Sequence, residues 1–537
     1  MLSSSALLGV LGLAALAFYK LILDPLILSP LATIPGPKLW ALTSARLSLE
    51  DWRGTRTVTI GKLHENYGPA VRIGPREVSF NSTSAIRSIY GAGSGFEKPS
   101  FYYGIFDVYG TANLFSFRGV RPHSERKRLL AQAFSKGAIL KGHTAEIIEG
   151  NVTDYLRMVD SHGGCSVETF TTLHYFSLDT ISNFIFGSDF GGTSCLVGNK
   201  EHQGLLTDIF DPARRRLIWC AMNFPNVTSW LYSRTKTMER LLAPFLPMKK
   251  PATFTGVRTY ALNSWKRFHG ASAETKLSPT TARSIMGLLW KRHESMKGPD
   301  GLSDMDIASE CADEFLAGVD TTSDSAMFLI WALSKPENKG FQERLAQEVL
   351  SIPSEALNLN GVPRVEVADK LPFLDAVIKE TLRMYAPIPA SEPRTSPVET
   401  VIDGYKIPAG TIVGVAPYYL HYRSDIFPEP RKFDPERWLE NDKVSEAQKV
   451  EMKRAYWPFA SGARMCIGMH LAMAEITTLV AAIYRTYTTT IPTQFLDATP
   501  GITSRFELFH DELQPRVLEH TSYIDFARRT MDTKVDE

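Results

Sequence analysis

One short stretch, residues 459–468 with the sequence FASGARMCIG, constrains this chain more than any other. Its cysteine, Cys466, stands just before an apolar, helix-like segment, where unpaired backbone N–H groups and the helix dipole favour a thiolate. Gly462 and Gly468 flank the cysteine and allow a tight turn with a close backbone approach to a large, flat ligand. Arg464 adds a fixed cation suited to a carboxylate of that ligand. One thiolate without a second cysteine nearby is a poor zinc or iron–sulfur site but a suitable axial ligand for haem iron.

The spacing F-x-x-G-x-R-x-C-x-G resembles the haem-ligand signature of the cytochrome P-450 family, the alternative being a structural cysteine in a glycine-containing turn. Three further motifs follow the family's order: A-G-x-D-T-T at 317–322, E-x-x-R at 380–383 and P-E-R-W at 435–438. The resemblance covers essentially the whole chain after its N-terminal apolar segment. It implies a mainly α-helical fold with small β-sheets, one haem domain, and haem b with Cys466 as the axial ligand of the iron.

The composition argues against several other functional classes. A net charge of +1 gives no sign of a nucleic-acid partner or of a polyanionic substrate. The five cysteines are odd in number and unclustered, which argues against a disulfide framework. A reducing compartment therefore fits best.

The N-terminal region predicts a membrane anchor. Residues 6–23 are almost continuously apolar, interrupted by Lys20, and about 18 residues suffice to cross a bilayer. A cleavable signal peptide is the alternative, but it would carry basic residues before the apolar run. The positive charges follow the span, so the remainder should stay cytosolic. We expect an anchor over 1–24, a proline-rich linker over 25–45 and the haem domain over 46–537, and the resemblance implies the endoplasmic reticulum membrane.

A long helix is predicted over 304–334, with Ser303 as its N-cap. At 1.5 Å per residue it would span about 45 Å, enough to cross a large domain. Within it, the pair Ala317–Gly318 is expected to leave room for a flat cofactor. Asp320 and Thr321 match the family's oxygen-activating helix and supply an acid and a hydroxyl, which suit proton delivery. The alternative is an exposed Asp-Thr pair on the surface of a helix.

The resemblance also assigns residues to the haem propionates. His123 and Lys127 have the spacing at which the family commonly places a Trp or His and, four positions later, a basic residue. Lysine stands here where arginine is commoner, and the alternative is a solvated basic helix face. Arg394 stands where the family has an arginine that reaches a propionate, and Arg464 joins this set.

A second role for charged residues is structural. Glu380 and Arg383 lie three positions apart on a predicted helix with apolar neighbours, so their face is expected to be buried. A buried ion pair needs further partners to offset its desolvation, and the family places a third member at Arg437. We expect this group to stabilise the fold near the haem rather than to act in catalysis.

The resemblance implies a haem-thiolate monooxygenase that uses O₂ and NADPH-derived electrons. It would hydroxylate, epoxidise or oxidatively cyclise a small apolar molecule, in the manner of filamentous-fungal members of secondary metabolism. About 70 residues follow Cys466, too few for a fused reductase, so the expected partner is a separate NADPH–cytochrome P-450 reductase. Two alternatives stay open: a reductase-independent isomerase, dehydratase or peroxygenase, and a non-catalytic haem-binding protein.

Overall fold

The structure, a computed structural model, describes residues 4–208, 219–233, 236–245, 255–295, 301–440, 444–498, 502–503, 508–509 and 522–529. Its longer helices are α1 (Ser4–Phe18), α2 (Ala45–Arg53), α3 (Arg56–Tyr67), α4 (Thr83–Tyr90), α5 (Val120–Leu130), α6 (Gly142–Ser161), α7 (Thr169–Phe186), α8 (Pro225–Ser233), α9 (Thr255–Gly270), α10 (Ile285–Ser295), α11 (Asp304–Ser334), α12 (Lys339–Leu350), α13 (Pro372–Met384), α14 (Glu446–Ala455) and α15 (Met469–Thr486). Shorter helices occupy Lys38–Leu42, Ser100–Tyr103, Lys136–Ile139, Lys200–Gly204, Lys236–Leu242, Ala273–Lys276, Pro279–Arg283, Val365–Ala368 and Pro417–Leu420.

Small sheets flank this helical body, so the predicted fold class is confirmed. The strands are β1 (Ala70–Gly74), β2 (Glu77–Phe80), β3 (Val167–Glu168), β4 (Arg394–Thr395), β5 (Thr400–Ile402), β6 (Tyr405–Ile407), β7 (Ile412–Gly414), β8 (Tyr487–Thr490), β9 (Ile502–Thr503), β10 (Leu508–Phe509) and β11 (Tyr523–Arg528). They form sheets in the orders β1-β2-β7-β4, β3-β11-β8, β5-β6 and β9-β10. β4 pairs antiparallel with β7, which fixes Arg394 on the edge strand of the largest of these sheets.

Helix α11 runs through the core with the predicted bounds. Ser303 caps it through a reciprocal pair of hydrogen bonds with Asp306, a capping box. The helix packs along α7 and α15. The expected role of Gly318 was wrong, because this glycine faces α7, where a Cβ would lie 2.5 Å from Cγ1 of Ile181. Gly318 therefore permits close helix–helix contact, and a single sequence cannot show which neighbour a glycine faces.

The N-terminal segment combines an exposed helix with a docked extension. Together with the π-helical turns that follow it, α1 gives a segment, Leu8–Leu28, that is long and apolar enough to cross a membrane and has no buried residue. Beyond it, Leu31 and Ile34 are buried in the body of the protein. The backbone N–H of Arg72 in β1 donates to the carbonyl of Pro35 at 2.7 Å. The proline-rich stretch therefore packs against the edge of a sheet, where its apolar residues are buried.

The predicted charge network around Glu380 is confirmed. Arg383 donates two hydrogen bonds to the Glu380 carboxylate, at 2.8 and 2.9 Å, and Arg437 donates a third at 3.1 Å. The indole of Trp438 and the backbone N–H of Asp434 also donate to it. Burial acts to raise the pKa of Glu380, but the two arginines outweigh it and hold that pKa below its usual value. The carboxylate therefore stays ionised in the core, and its negative charge depends on these partners.

We predict that Arg437→Leu lowers the free energy of unfolding by about 3–5 kcal/mol, because it removes one partner and leaves part of a buried charge uncompensated. Denaturant unfolding followed by circular dichroism measures this loss. Lys339→Gln is the matched control, since the Lys339–Glu343 pair is exposed and should be worth about 1 kcal/mol or less. Equal losses in the two variants would contradict a structural role for the buried network.

Candidate active site

The cysteine loop is built around two close backbone contacts. Cys466 follows the helical turn Gly462–Arg464, and its backbone N–H donates to the carbonyl of Phe459 at 2.9 Å. Gly462 has φ +65°, and a Cβ there would collide with the carbonyl oxygen of Tyr90. The turn therefore requires glycine for both its conformation and its packing. The loop presents the thiol just ahead of α15, as the sequence predicts.

The protein by itself does not favour the thiolate of Cys466. The side chain is accessible, yet protein surrounds it on most sides. Burial, followed by the charge of Glu314, raises the pKa of the thiol to about 11, although the Gly468 backbone N–H and Lys127 act in the opposite direction. The start of the helix acts in the expected direction through the Gly468 N–H, but burial of the metal-free thiol has the larger effect. A coordinated metal ion would reverse this balance, since it deprotonates a thiol ligand outright.

Asp320 and Thr321 lie together on the wall of one cavity. This cavity, of about 80 Å³, is bounded on one side by a face of α11 and on the other by apolar side chains that include Phe106 and Phe115. The Thr321 hydroxyl donates to the carbonyl of Ala317 at 3.0 Å, a bond to the preceding helical turn. The structure thus brings the predicted acid and hydroxyl into contact with the same small volume.

A buried histidine, His174, lies close to Asp320. Nε2 of His174 in α7 lies 3.7 Å from Asp320 Oδ1 and 4.0 Å from Asp324 Oδ1. Its other ring nitrogen, Nδ1, lies 2.7 Å from the carbonyl oxygen of Phe170. Because a carbonyl only accepts, Nδ1 carries a hydrogen, and Nε2 is the atom turned toward the two carboxylates. No sequence motif marks His174, since the contact joins two helices far apart in the chain.

The cysteine loop lies within electrostatic range of α11. The charge of Glu314 in α11 acts on both the Cys466 thiol and the Lys127 ammonium. Glu314 lies one helical turn before Ala317, whose side chain is exposed although α11 is otherwise largely buried. The thiol and the Ala317 side chain are both accessible, and Glu314 places the cysteine loop within electrostatic range of this part of α11.

Two arginines and a histidine lie close together near the cysteine loop. Arg394, Arg464 and His123 line a cavity of about 50 Å³. Arg394 donates to the Tyr103 hydroxyl at 2.9 Å and to the Glu392 carboxylate at 2.8 Å. Arg464 donates to the carbonyls of residues 117–119, which ties the cysteine loop to the start of α5.

Lys98, which sequence analysis missed, is a third cation near Arg394 and Arg464, and these three residues form the cationic edge of the site. Its ammonium donates to the carbonyl of Phe115 at 2.6 Å and lies over the rings of Tyr103 and Phe115. Burial and Arg394 lower its pKa well below the usual value, and they also lower the pKa of Arg464 to about 10. Burial and neighbouring cations make the charged form of each group less stable. A carboxylate added nearby would stabilise these charged forms again.

His123 and Lys127, both in α5, have different surroundings. Burial and the nearby cations, Arg464 and Lys98 foremost, lower the pKa of His123 to about 3, so its ring is neutral at pH 7. Lys127 donates to the carbonyls of Ala463 and Met465 at 2.9 and 2.6 Å. These two bonds brace the cysteine loop, which differs from the propionate contact that the resemblance implies.

Comparison with known proteins decides the family. Residues 34–503 match the family model described as "Cytochrome P450". The chain belongs to the cytochrome P-450 family. It is 30% identical over 462 residues to "Cytochrome P450 monooxygenase stcB" of Emericella nidulans, covering 85% of this chain and 82% of that protein. It is 28% identical to "Cytochrome P450 monooxygenase cypX" of Dothistroma septosporum, with 88% of each chain covered. It is also 28% identical to "Benzoate 4-monooxygenase bphA" of Aspergillus niger, covering 89% of this chain and 91% of that protein.

Membership makes this protein a haem-thiolate monooxygenase, an oxidoreductase that needs a redox partner and takes an apolar substrate. The family implies haem iron with a cysteine thiolate ligand, and the residues present fit such a group. Cys466 offers an accessible thiol, and Ala317 in α11 is accessible as well. The buried cations Lys98, Arg394 and Arg464 suit the two propionate carboxylates at the edge of a haem.

We predict that Lys98→Met weakens haem binding by roughly 10- to 100-fold, the scale of one charged hydrogen bond, while the similar side-chain volume preserves packing. Haem transfer from the purified holoprotein to apomyoglobin measures the change. Lys453→Met serves as the control because Lys453 is exposed on α14. Haem retention equal to that of the control would show that Lys98 holds no propionate.

Proposed function

We propose that this protein oxygenates a small apolar molecule with O₂ and NADPH-derived electrons, using haem b whose iron is ligated by Cys466. One observation carries the proposal: the charge of Glu314 in α11 acts on the Cys466 thiol, so the cysteine loop lies close to the helix whose cavity face carries Asp320 and Thr321, and Arg394 and Arg464 lie beside the same loop. These three parts provide a metal ligand, a proton-delivery pair and partners for two carboxylates. When bound, haem supplies the binding and reductive activation of O₂.

Different residues would hold different parts of the cofactor. Arg394, Arg464 and Lys98 would pair with the propionates, and neutral His123 would offer a hydrogen bond there. Lys127 has a different role, because its bonds to the carbonyls of Ala463 and Met465 brace the loop that carries Cys466. This assignment explains why so many cations are buried at one edge, an arrangement that costs free energy without an anion.

The substrate space favours an apolar molecule. Phe106, Phe115 and Ile388 line both the cavity beside Thr321 and a second cavity of about 130 Å³. The second cavity has further aromatic walls, including Trp219, that suit a planar or extended hydrophobic ligand. Together the two cavities reach from the α11 face toward α2 and α3. Fungal relatives over most of the chain support a product of secondary metabolism.

Proton delivery is the role we assign to Asp320 and Thr321. The cavity between them and the aromatic walls is small and mostly apolar, so protons need a fixed route. Thr321 presents a hydroxyl that can order a water molecule, and Asp320 presents a carboxylate that can take up and release a proton. His174 lies nearby, with Nε2 at 3.7 Å from Asp320 Oδ1, which is longer than a hydrogen bond, and with Nδ1 engaged with the backbone.

The proposed setting is the endoplasmic reticulum membrane, with NADPH–cytochrome P-450 reductase as the electron donor. The exposed, apolar segment Leu8–Leu28 supports an anchor, and we keep the division into an anchor (1–24), a linker (25–45) and a cytosolic haem domain (46–537). Both proteins would then meet on one membrane surface, which raises their effective concentration.

We predict that Thr321→Ala and Asp320→Asn keep haem and bind substrate but lose product formation per NADPH by roughly 10²–10⁴-fold, the range typical of general acid–base groups. NADPH use should slow or divert to hydrogen peroxide. Assays with reconstituted reductase that follow NADPH, peroxide and product separate these outcomes. Ser323→Ala is the matched control, since it removes a hydroxyl of α11 that is bonded within the helix and lies away from the cavity.

Two results would contradict the proposal. Wild-type coupling in both Thr321→Ala and Asp320→Asn would remove their assigned role. Product formed by the unaltered protein without any reductase would instead support the isomerase, dehydratase or peroxygenase alternative.

A further inference from the structure

A cavity of about 380 Å³, called the outer cavity below, lies outside the candidate active site. It is bounded by α3, by the residue that follows β2 and by the segment 418–431. Among its described lining residues, none belongs to the inner cavity of Asp320 and Thr321, and it shares only Tyr419 with the cavity of about 130 Å³. Its volume lies within the roughly 300–1,000 Å³ typical of small-molecule sites.

A chain of hydrogen bonds holds one side of the outer cavity in place. Burial lowers the pKa of His64 to about 4, so its ring is neutral at pH 7. Its Nδ1 donates to the carbonyl of Gly68 at 2.9 Å, and its Nε2 accepts from the Ser79 hydroxyl at 2.8 Å. The Ser79 oxygen in turn accepts from the Tyr419 hydroxyl at 2.7 Å. A ligand would therefore meet a preorganised surface, which reduces the entropy lost on binding.

Two further tyrosine rings line the outer cavity next to each other. The ring centroids of Tyr418 and Tyr422 lie 5.5 Å apart, with 48° between the ring planes. The Tyr422 hydroxyl donates to the carbonyl of Met384 at 2.9 Å, which restrains that ring. Paired aromatic rings offer a large apolar area to another flat ring. An aromatic ring is therefore the ligand group that suits these residues best.

The charged residues around the outer cavity favour an anion. Three of them are cations and two are carboxylates: Lys62, Arg423, Arg431, Glu65 and Asp425. Arg423 is neutralised by Asp425, to which its guanidinium donates two hydrogen bonds. Arg431 is exposed, lies 5.6 Å from the ring centroid of Tyr422 and forms no ion pair with a described residue. Its guanidinium can therefore pair with a ligand carboxylate beside the tyrosine rings.

A buried amide oxygen of Asn81 also lines the outer cavity. The backbone of Asn81 is fixed, because its N–H donates to the carbonyl of Pro69 at 2.7 Å and its carbonyl accepts from Arg423 at 2.7 Å. The side-chain Oδ1 is buried and accepts no hydrogen bond from a described residue. Such an acceptor costs free energy, and an O–H or N–H group of a ligand would satisfy it.

We propose that the outer cavity is a second small-molecule site, which binds a planar aromatic carboxylate carrying a hydroxyl or amine donor. The Tyr418–Tyr422 pair contacts the ring, Arg431 pairs with the carboxylate, and Asn81 Oδ1 accepts the donor. None of these four residues lines the inner cavity or the cavity of about 130 Å³. The site is therefore distinct from the oxygenation site and does not depend on the proposed function.

Equilibrium dialysis of three naphthalene probes against the full-length, haem-loaded protein tests the proposal. 6-Hydroxy-2-naphthoate carries both the carboxylate and the donor, 6-methoxy-2-naphthoate lacks the donor, and 2-naphthol lacks the carboxylate. Saturating 1-phenylimidazole, which ligates haem iron, occupies the haem cavity throughout, so the dialysis measures binding elsewhere. We expect the hydroxy acid to bind about fivefold more tightly than either of the other probes.

Two variants assign this preference to residues of the outer cavity. Arg431→Gln should weaken the binding of both carboxylates about fivefold and leave 2-naphthol binding unchanged. Asn81→Leu keeps the size of the side chain but removes the acceptor, so it should abolish the preference for the hydroxy acid over the methoxy acid. Arg283→Gln is the matched control, because Arg283 is exposed at the end of another helix and does not line the cavity.

The proposal fails if no probe binds with a dissociation constant below about 1 mM, or if all three bind equally well. It also fails if Arg431→Gln and Arg283→Gln have the same effect. That comparison stands even if Asn81→Leu is unstable, because replacing an exposed arginine has little effect on folding. Absence of reductase-dependent product formation would overturn the proposed function instead and would leave the dialysis result unaffected.

Discussion

The buried charge of Glu380 is the constraint on which the cysteine loop depends. Arg383 neutralises it and also donates to the carbonyl of His421, whose Nδ1 donates back to the Arg383 carbonyl. Burial, then Arg383, lowers the pKa of His421 to about 3, so its Nε2 is an acceptor and takes the backbone N–H of Trp457 at 2.9 Å. The Trp457 indole then donates to the Ser461 hydroxyl at the start of the loop. A chain of directional bonds thus transmits the position of α13 to the residues before the metal ligand.

Positive and negative side chains occupy different parts of the candidate site. Lys98, Arg394 and Arg464 gather at one edge, whereas Asp313 and Asp320 lie along α11. Each set is costly to bury on its own, and under the proposed function the cations would pair with the cofactor's carboxylates while Asp320 would move protons. The pKa of the Cys466 thiol is raised, so a thiolate at this position would need a bound metal ion.

Sequence reasoning succeeded where signals were local. Ser303 and the apolar pattern after it fixed the bounds of α11, and the glycines around Cys466 fixed a turn that Gly462 does require. It failed where the partner is distant in the chain. Gly318 was assigned to the cofactor although it packs on α7, and neither Lys98 nor His174 has a motif, because their roles arise from contacts that folding creates. Burial of the Cys466 thiol could likewise not be predicted from the sequence, since desolvation depends on the folded surroundings and not on the helix terminus alone.

The carbon monoxide difference spectrum of the reduced protein tests the central claim most directly. The account predicts the red-shifted Soret band of a thiolate-ligated haem in the unaltered protein and in Cys165→Ser, whose cysteine is exposed elsewhere. It predicts loss of that band in Cys466→Ala, with haem retained to the extent that the cationic edge holds it. A Cys466→Ala protein that keeps the thiolate band unchanged would show that another residue ligates the iron.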